Sequence, residues 1–305
     1  MLIYGFHLVS NRILPLESAS SLDELTGRLS DGVYTTFTTL SSGTRVLGLS
    51  LHLKRLYDPA KARQLHPSVD ERTIQKHIAE LAKTNLPGES RIRLILTWDT
   101  GDVYAGVQPF TPLPQTVFTE GVHVLTADVA RHDPRVKGTD FIFQSAEQRK
   151  LIHDDVFEIL LTHSGEIFEG MTSNFYAVHS VIARRRGAPS KQSDANEGLL
   201  RAGDHRPRND GILVTAQKGI LLGVTRHTVL RLARGEGLEI EYRPPHVDEV
   251  FDEAFLTSSS RGVVPIVMID GKPVGKGGVG AWTKTLSLAH QAYVSEGGEE
   301  IVPRR

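Results

Sequence analysis

A two-domain protein of mixed α/β structure is predicted for this chain by three observations. Its length of 305 residues suits about two domains, each large enough to bury its own core. Strand-like and helix-like segments alternate along it, and a proline-rich break falls about a third of the way through. Ser90 to Trp98, SRIRLILTW, is rich in β-branched and aromatic residues and is bounded by Gly88 and Gly101, so it reads as a strand. In LSLHLKRLYDPAKARQL, Leu49, Leu53, Leu56 and Tyr57 recur at helical spacing. These segments place a small N-terminal α/β domain at residues 1–106. The stretch VQPFTPLPQ, with three prolines in nine residues, is expected as the interdomain linker at 107–115. A larger domain then occupies 116–305.

Within that larger part, strands are expected at Val122 to Leu125, Ile167 to Phe168 and Phe175 to Val178, and helices near Thr225 and Ala281. Residues 183–210 break the pattern, with seven arginines and lysines, four acids and only Leu199 and Leu200 as large aliphatics. Such a segment buries little surface, so a solvated polar insertion is expected there. The tail from Glu296 to Arg305 is polar and is expected to fray.

Composition narrows the function. The chain balances 35 Lys and Arg against 36 Asp and Glu, which gives no global field for nucleic acid or an anionic membrane. It has no cysteine, so disulfides, iron–sulfur clusters and thiolate catalysis are excluded. There is no apolar run of membrane-spanning length, and MLIYGFHLVSNR lacks the features of a signal peptide. A cytoplasmic protein is expected. Thirteen histidines are present, but none forms HExxH and no metal site is indicated.

The chemistry is suggested by Lys137 and, 32 positions later, Glu169 within GEIFEGMTSNFYAV. A lysine amine can hold the aldehyde of pyridoxal 5′-phosphate, and a carboxylate can keep the pyridine nitrogen protonated so that the ring withdraws electrons. Neither residue alone is a signal. LLGVTRHTVLRLARGEG places Gly223 and Thr225 at a helix start, where free N–H groups and the helix dipole suit either an ordinary N-cap or a phosphate. TSSSRG, Thr257 to Gly262, is equally compatible with a plain turn. A third glycine run, GKGGVG, satisfies GxGxxG through Gly275, Gly277 and Gly280. A dinucleotide site there would require a further strand carrying an acid, yet only 25 residues follow Gly280, so a turn before the last helix is expected.

Taken together, six blocks in order resemble the class IV pyridoxal phosphate aminotransferases, the group that holds branched-chain aminotransferases, D-amino-acid aminotransferases and 4-amino-4-deoxychorismate lyase. They are DGVYTTF from Asp31, HLKRL from His52, RVKGTDF from Arg135, EGMTSNF from Glu169, LLGVTR from Leu221 and FLTSSSRGVVP from Phe255. The resemblance implies the two-domain architecture called fold type IV, with the coenzyme between the domains, and a homodimer. It assigns Lys137 as anchor and base, Glu169 to the ring nitrogen, and Arg55, Ser259 and the backbone around Val224 and Thr225 to the phosphate. Tyr34 and Arg93 are implied on the substrate side, with N–H groups of Ser259 and Ser260 at the substrate carboxylate.

Departures from the family pattern bear on the substrate. Thr35 and Thr38 stand where many relatives have glutamate and arginine, and the threonine pair in DGVYTTF is similar to that of the lyases. KGTDF lacks the asparagine–arginine pair that those lyases place after the lysine. The RxH carboxylate trap of the D-amino-acid enzymes is also missing, since Ile92 and Arg93 follow Arg91. The expected reaction is amino transfer between a hydrophobic, branched-chain-like amino acid and a 2-oxo acid such as 2-oxoglutarate. The lyase and a D-amino-acid aminotransferase are the alternatives.

Overall fold

The computed structural model describes residues 2–153, 155–180 and 211–301. Among these residues two sheets organise the chain. The first is built from β1 (Tyr4–Val9), β2 (Arg12–Pro15), β3 (Gly32–Leu40), β4 (Arg45–Val46), β5 (Ser90–Thr97) and β6 (Val103–Pro109), with β16 (Glu299–Glu300) added at its edge; the order is β16-β4-β3-β5-β6-β1-β2. Helices α1 (Leu22–Gly27), α2 (Leu49–Ala62) and α3 (Glu71–Ala82) lie against it. Leu49, Leu53, Leu56 and Tyr57 of α2 are all buried, packed in one cluster with Val33 and Phe37 of β3. Strand alternation sends Tyr34 the other way, against Ile95 and Ile142.

The second sheet comprises β7 (Val122–Asp128), β8 (Val156–His163), β9 (Glu166–Gly170), β10 (Asn174–Ser180), β11 (Gly211–Thr215), β12 (Glu239–Tyr242), β13 (Glu253–Ser258), β14 (Gly262–Ile269) and β15 (Lys272–Pro273). Its order is β12-β11-β10-β13-β14-β7-β8-β9, and one further pairing, Glu169 with Asn174, joins β9 back to β10. Six strands therefore close on themselves, which brings the end of β9 beside the start of β10. Short helices α4 (Gln115–Glu120), α5 (Asp140–Gln144) and α6 (Ala146–Arg149) connect the layers, while α7 (Val224–Gly235) and α8 (Ala281–Glu296) cover one face. Val229, Leu230 and Ala233 of α7 and Leu286 of α8 bury against Tyr176 and Phe255.

The proline-rich stretch is partly strand, because β6 runs to Pro109, and only residues 110–114 form the connection to α4. The insertion expected at 183–210 lies outside the described residues. The start of the C-terminal tail is ordered, contrary to the fraying expected from its polarity. Glu299 and Glu300 pair with Val46 and Arg45 of β4, and Ile301 is buried in the first sheet's core. Glu299 also accepts bonds from Ser50 N and Oγ at 3.0 and 3.1 Å, which supplies the carboxylate that the start of α2 otherwise lacks. One isoleucine and one capping acid hold the segment where its average composition argues for solvent.

The GKGGVG run is a structural turn. Gly275 and Gly277 have φ of +55° and +75°, and a Cβ at Gly280 would overlap the Glu253 carboxyl group. That carboxylate accepts from Trp282 N at 3.1 Å, Thr283 N at 2.7 Å and Thr283 Oγ1 at 2.8 Å. The anion position at this helix start is thus filled by the protein itself. Glu253→Ala should lower stability by about 1–3 kcal/mol through loss of the buried cap, with coenzyme affinity unchanged. Chemical denaturation read beside a coenzyme titration checks this; a loss of coenzyme binding at retained stability would return the run to the functional site. Among the described residues no helix is long and apolar enough to span a membrane, and no group of three or more His, Cys, Asp or Glu could hold a metal.

Candidate active site

A cavity of about 380 Å³ opens between the two sheets, walled by β3 and β5 on one side and by β9, the start of α7 and the β13–β14 turn on the other. Lys137 reaches it from the loop after β7. That loop is stitched to β3: Tyr34 N donates to Lys137 O at 2.9 Å, Thr139 N to Gly32 O at 2.9 Å, and Gly32 N to Thr139 Oγ1 at 2.9 Å. Gly32 is required here because a Cβ would overlap the Leu96 backbone. The Lys137 amine lies 4.9 Å from the centre of the Tyr34 ring. Burial, followed by the positive charges of Arg55, Arg131 and Arg93, holds it well below the ordinary lysine range, while Glu169 pulls the other way. An amine whose neutral form is favoured in this way is suited to act as a nucleophile and a base.

Glu169, at the closure between β9 and β10, is only 2% exposed as a side chain. Its Oε1 accepts from Arg131 Nε at 2.7 Å and its Oε2 from Leu221 N at 3.1 Å. Burial pushes its carboxyl above the usual range, against the pull of Arg131 and the Leu221 N–H. Arg131 is fixed in turn by Met171 O at 2.7 Å and by the Phe141 ring, 3.8 Å below its guanidinium.

The 221–223 turn connects this carboxylate to an anion cup. Asn174 Nδ2 donates to Leu221 O at 2.8 Å, and Arg55 Nη2 donates to Leu222 O at 2.7 Å. Gly223 then opens α7 with no side-chain cap, and a Cβ there would overlap Asn174 Oδ1. Unlike the α8 start, this one leaves its first N–H groups facing the cavity. Thr225 Oγ1 stands 3.5 Å from Ser259 Oγ at the same end. Burial lowers the Arg55 pKa to about 10, as expected for a cation short of counter-charge.

Tyr34, Arg93, Ser259 and Ser260 all line the cavity, as do Arg55, Lys137, Glu169, Val224 and Thr225. Arg93 is already engaged: its Nη1 donates to Asp23 Oδ1 at 2.7 Å, Leu22 O at 3.0 Å and Thr26 Oγ1 at 3.0 Å, and its guanidinium covers the Tyr34 ring at 4.7 Å. Thr35 does not face the cavity. It is fully buried and bonds His52 Nδ1 at 2.6 Å, so of this threonine pair Thr36 is the one on the cavity wall. Alternation along β3 accounts for the difference.

Sequence reasoning missed Arg131, Arg91 and Arg261. Arg131 carries no local motif, and its role follows from β9 closing on β10. Arg261 bonds Glu158 Oε2 at 2.6 Å across strands distant in sequence. Arg91 carries no signal of its own, since the RxH motif it would open is absent.

An aldehyde-bearing, phosphorylated pyridine needs an amine, a carboxylate opposite and an anion cup; all three line this one cavity, so the residues fit pyridoxal 5′-phosphate. The family model for class IV amino-transferases matches residues 32–269. A D-alanine aminotransferase of Bacillus licheniformis is 25% identical over 289 residues, covering 90% of this chain and 92% of that protein. A branched-chain-amino-acid aminotransferase of Pseudomonas aeruginosa is 37% identical over 89 residues, 28% of this chain and 29% of that protein. A PLP-bound hypothetical aminotransferase from Mycobacterium tuberculosis shares the fold with a TM-score of 0.67 at 18% identity, covering 95% of this chain and 99% of that one. The match over most of its length, together with the geometry just described, makes this chain a member of the class IV amino-transferases, pyridoxal 5′-phosphate-dependent transaminases.

Proposed function

We propose that the protein moves an amino group between a hydrophobic, branched-chain-like amino acid and a 2-oxo acid such as 2-oxoglutarate. The observation that carries this reading is the substrate side of the cavity. Its lining sets the apolar groups of Tyr34, Pro109, Phe110 and Leu113 among the polar Thr36, Gln108 and Thr111, and the β13–β14 turn brings Ser259 and Ser260, whose backbone N–H groups would meet an α-carboxylate. Branched-chain aminotransferases among the relatives support it. The D-alanine aminotransferase similarity, over 90% of the chain, keeps the D-amino acid as a second reading. The lyase reading loses one support, because Thr35 is turned toward His52.

Pyridoxal 5′-phosphate supplies the electron-withdrawing ring that stabilises negative charge at the substrate α-carbon. In this proposal Lys137 would hold the coenzyme through its amine and would serve as the base that moves the proton of the substrate α-carbon. Glu169, braced by Arg131 and Leu221 N, holds the proton at the ring nitrogen. Arg55, Ser259 and the N–H groups at Val224 and Thr225 would hold the phosphate. The homodimer implied by the family belongs to the same proposal and is read by sedimentation equilibrium.

The absorbance of the bound coenzyme tests the reaction. With a branched-chain amino acid alone, the yellow form should bleach in one turnover and stop, and 2-oxoglutarate should restore it. Running both hands of each amino acid separates the L and D readings. Sustained formation of 4-aminobenzoate without an acceptor, and no keto-acid-dependent exchange with any amino acid, would establish the lyase instead.

A further inference from the structure

Strand β8 reads VFEILLTH, and its acid, Glu158, is 1% exposed beside the buried Ile159, Leu160 and Leu161. A carboxylate taken from water into such a strand costs free energy unless hydrogen bonds and a counter-charge offset it. Glu158 has both. Its Oε1 accepts from Thr172 N at 3.1 Å, and its Oε2 accepts from Thr172 Oγ1 at 3.0 Å, Ser173 Oγ at 3.3 Å and Arg261 Nη2 at 2.6 Å. Arg261 in turn donates from Nε to Ser258 Oγ at 3.1 Å, and its guanidinium lies 5.2 Å from the centre of the Phe157 ring.

These donors come from two different turns. Thr172 and Ser173 belong to the turn between β9 and β10, which follows Glu169 directly and is closed by Gly170 N on Ser173 O at 2.9 Å. Ser258 and Arg261 flank Ser259 and Ser260 in the β13–β14 turn, where Ser258 pairs with Gly262. Thr172, Ser173 and residues 258–261 line the coenzyme cavity, and Glu158 does not. The carboxylate therefore stands behind the wall and grips both turns from the rear. Gly170 permits the close approach, because a Cβ there would overlap Ser173 Oγ.

We propose that Glu158 and Arg261 are positioning residues, a clasp that sets the Ser259–Ser260 turn against the turn that carries Glu169. The inference rests on the reading that gives the β13–β14 turn to the coenzyme phosphate and the substrate carboxylate. A buried ion pair is a poor source of stability, since apolar replacement of both members is often neutral or stabilising. Charge-assisted bonds are directional, so their contribution here is geometric. With the clasp open, Ser259 and Ser260 lose their fixed place opposite Glu169 while the sheet that carries them stays folded.

Titration of the apoprotein with pyridoxamine 5′-phosphate and with pyridoxamine reads the grip of the turn on the phosphate without turnover. Glu158→Gln keeps an acceptor for Thr172 but gives Arg261 no counter-charge, and the ratio of the two affinities should fall by about 10-fold, the scale of one lost bond to a charged group. The affinity of the coenzyme-loaded variant for 4-methylvalerate should fall in parallel. A merely structural role would lower the denaturation midpoint, or weaken both pyridoxamines alike, and leave the ratio at its parent value. Arg261→Met should lose as much, and Glu158→Gln/Arg261→Met no more than either single variant, because members of one pair are not additive. A parent ratio in Glu158→Gln would overturn the proposal even with Arg261→Met weakened, since Arg261 would then touch the ligand itself; losses that add in the double variant would overturn it as well. If Glu158→Gln fails to fold, the double variant, which buries no unpaired charge, decides, and a parent ratio there sinks the clasp. Equal affinity of the parent for the two pyridoxamines would instead remove the phosphate cup, and the proposal with it.

Discussion

Lys137→Ala is expected to abolish covalent coenzyme attachment and to slow the amino-acid half-reaction by about 10²–10⁴-fold or more, the range of a positioned acid–base group. The loss is large because one amine does two tasks, and because its surroundings have prepared it. Burial and the charges of Arg55, Arg131 and Arg93 lower its pKa well below that of an exposed lysine and so favour the neutral form. Borohydride reduction followed by peptide mapping should label Lys137 in the parent protein. A label on another lysine would sink the assignment.

The same depressed pKa has a signature in apoprotein stability. Between the lowered folded value and the ordinary value of 10.5, the unfolded chain binds a proton that the folded chain does not. Stability therefore rises with pH across that window, and the penalty of burying the amine vanishes above it. Lys137→Ala lacks this slope. The melting temperature of the apo parent should gain on that of the variant as pH is raised toward 10.5, and parallel profiles would mean that the amine is not buried.

Glu169→Gln is expected to leave the coenzyme bound while lowering half-reaction rates by about 10²-fold or more, because a neutral amide cannot hold the ring nitrogen protonated. It also strips Arg131, 5% exposed as a side chain, of its counter-ion. Breaking a buried pair costs up to about 3–5 kcal/mol, less here because the glutamine carbonyl still accepts a bond. Adding Arg131→Met should restore stability without restoring rate, which separates the structural and chemical roles of the carboxylate. Stopped-flow absorbance and denaturant unfolding read the two effects. An unchanged rate would mean that another carboxylate faces the ring.

Much of this arrangement was legible in the chain itself. The helical spacing of Leu49, Leu53, Leu56 and Tyr57 and the β-branched run at Ser90 to Trp98 report local periodicity, which burial on one face imposes directly on sequence. Both elements appear where expected. The glycine before Val224 and Thr225 signalled a helix start. It did not say whether an anion from outside or a carboxylate from within would sit there.

That choice belonged to the tertiary structure. Three helices begin after glycines, at Gly48, Gly223 and Gly280; the first and third receive an internal carboxylate, Glu299 and Glu253, because β16 and β13 bring one there, while among the described residues no carboxylate bonds to the start at Gly223. Charge partners follow the same logic. Arginine side chains look alike in sequence, and whether each is balanced depends on which strand ends the fold brings together: Glu169 to Arg131, Glu158 to Arg261, Asp23 to Arg93. Thr35 and Thr36 likewise parted only when alternation along β3 gave one to His52 and the other to the cavity. The sequence by itself determined the mixed α/β class and the strongly periodic elements, and singled out Lys137 and Glu169 as candidates, since these rest on local pattern, residue type and the order of the six blocks. The tertiary structure alone decided which charges are spent on one another and which remain for a ligand, because a long-range ion pair is a property of two surfaces meeting and leaves no periodic mark on either segment.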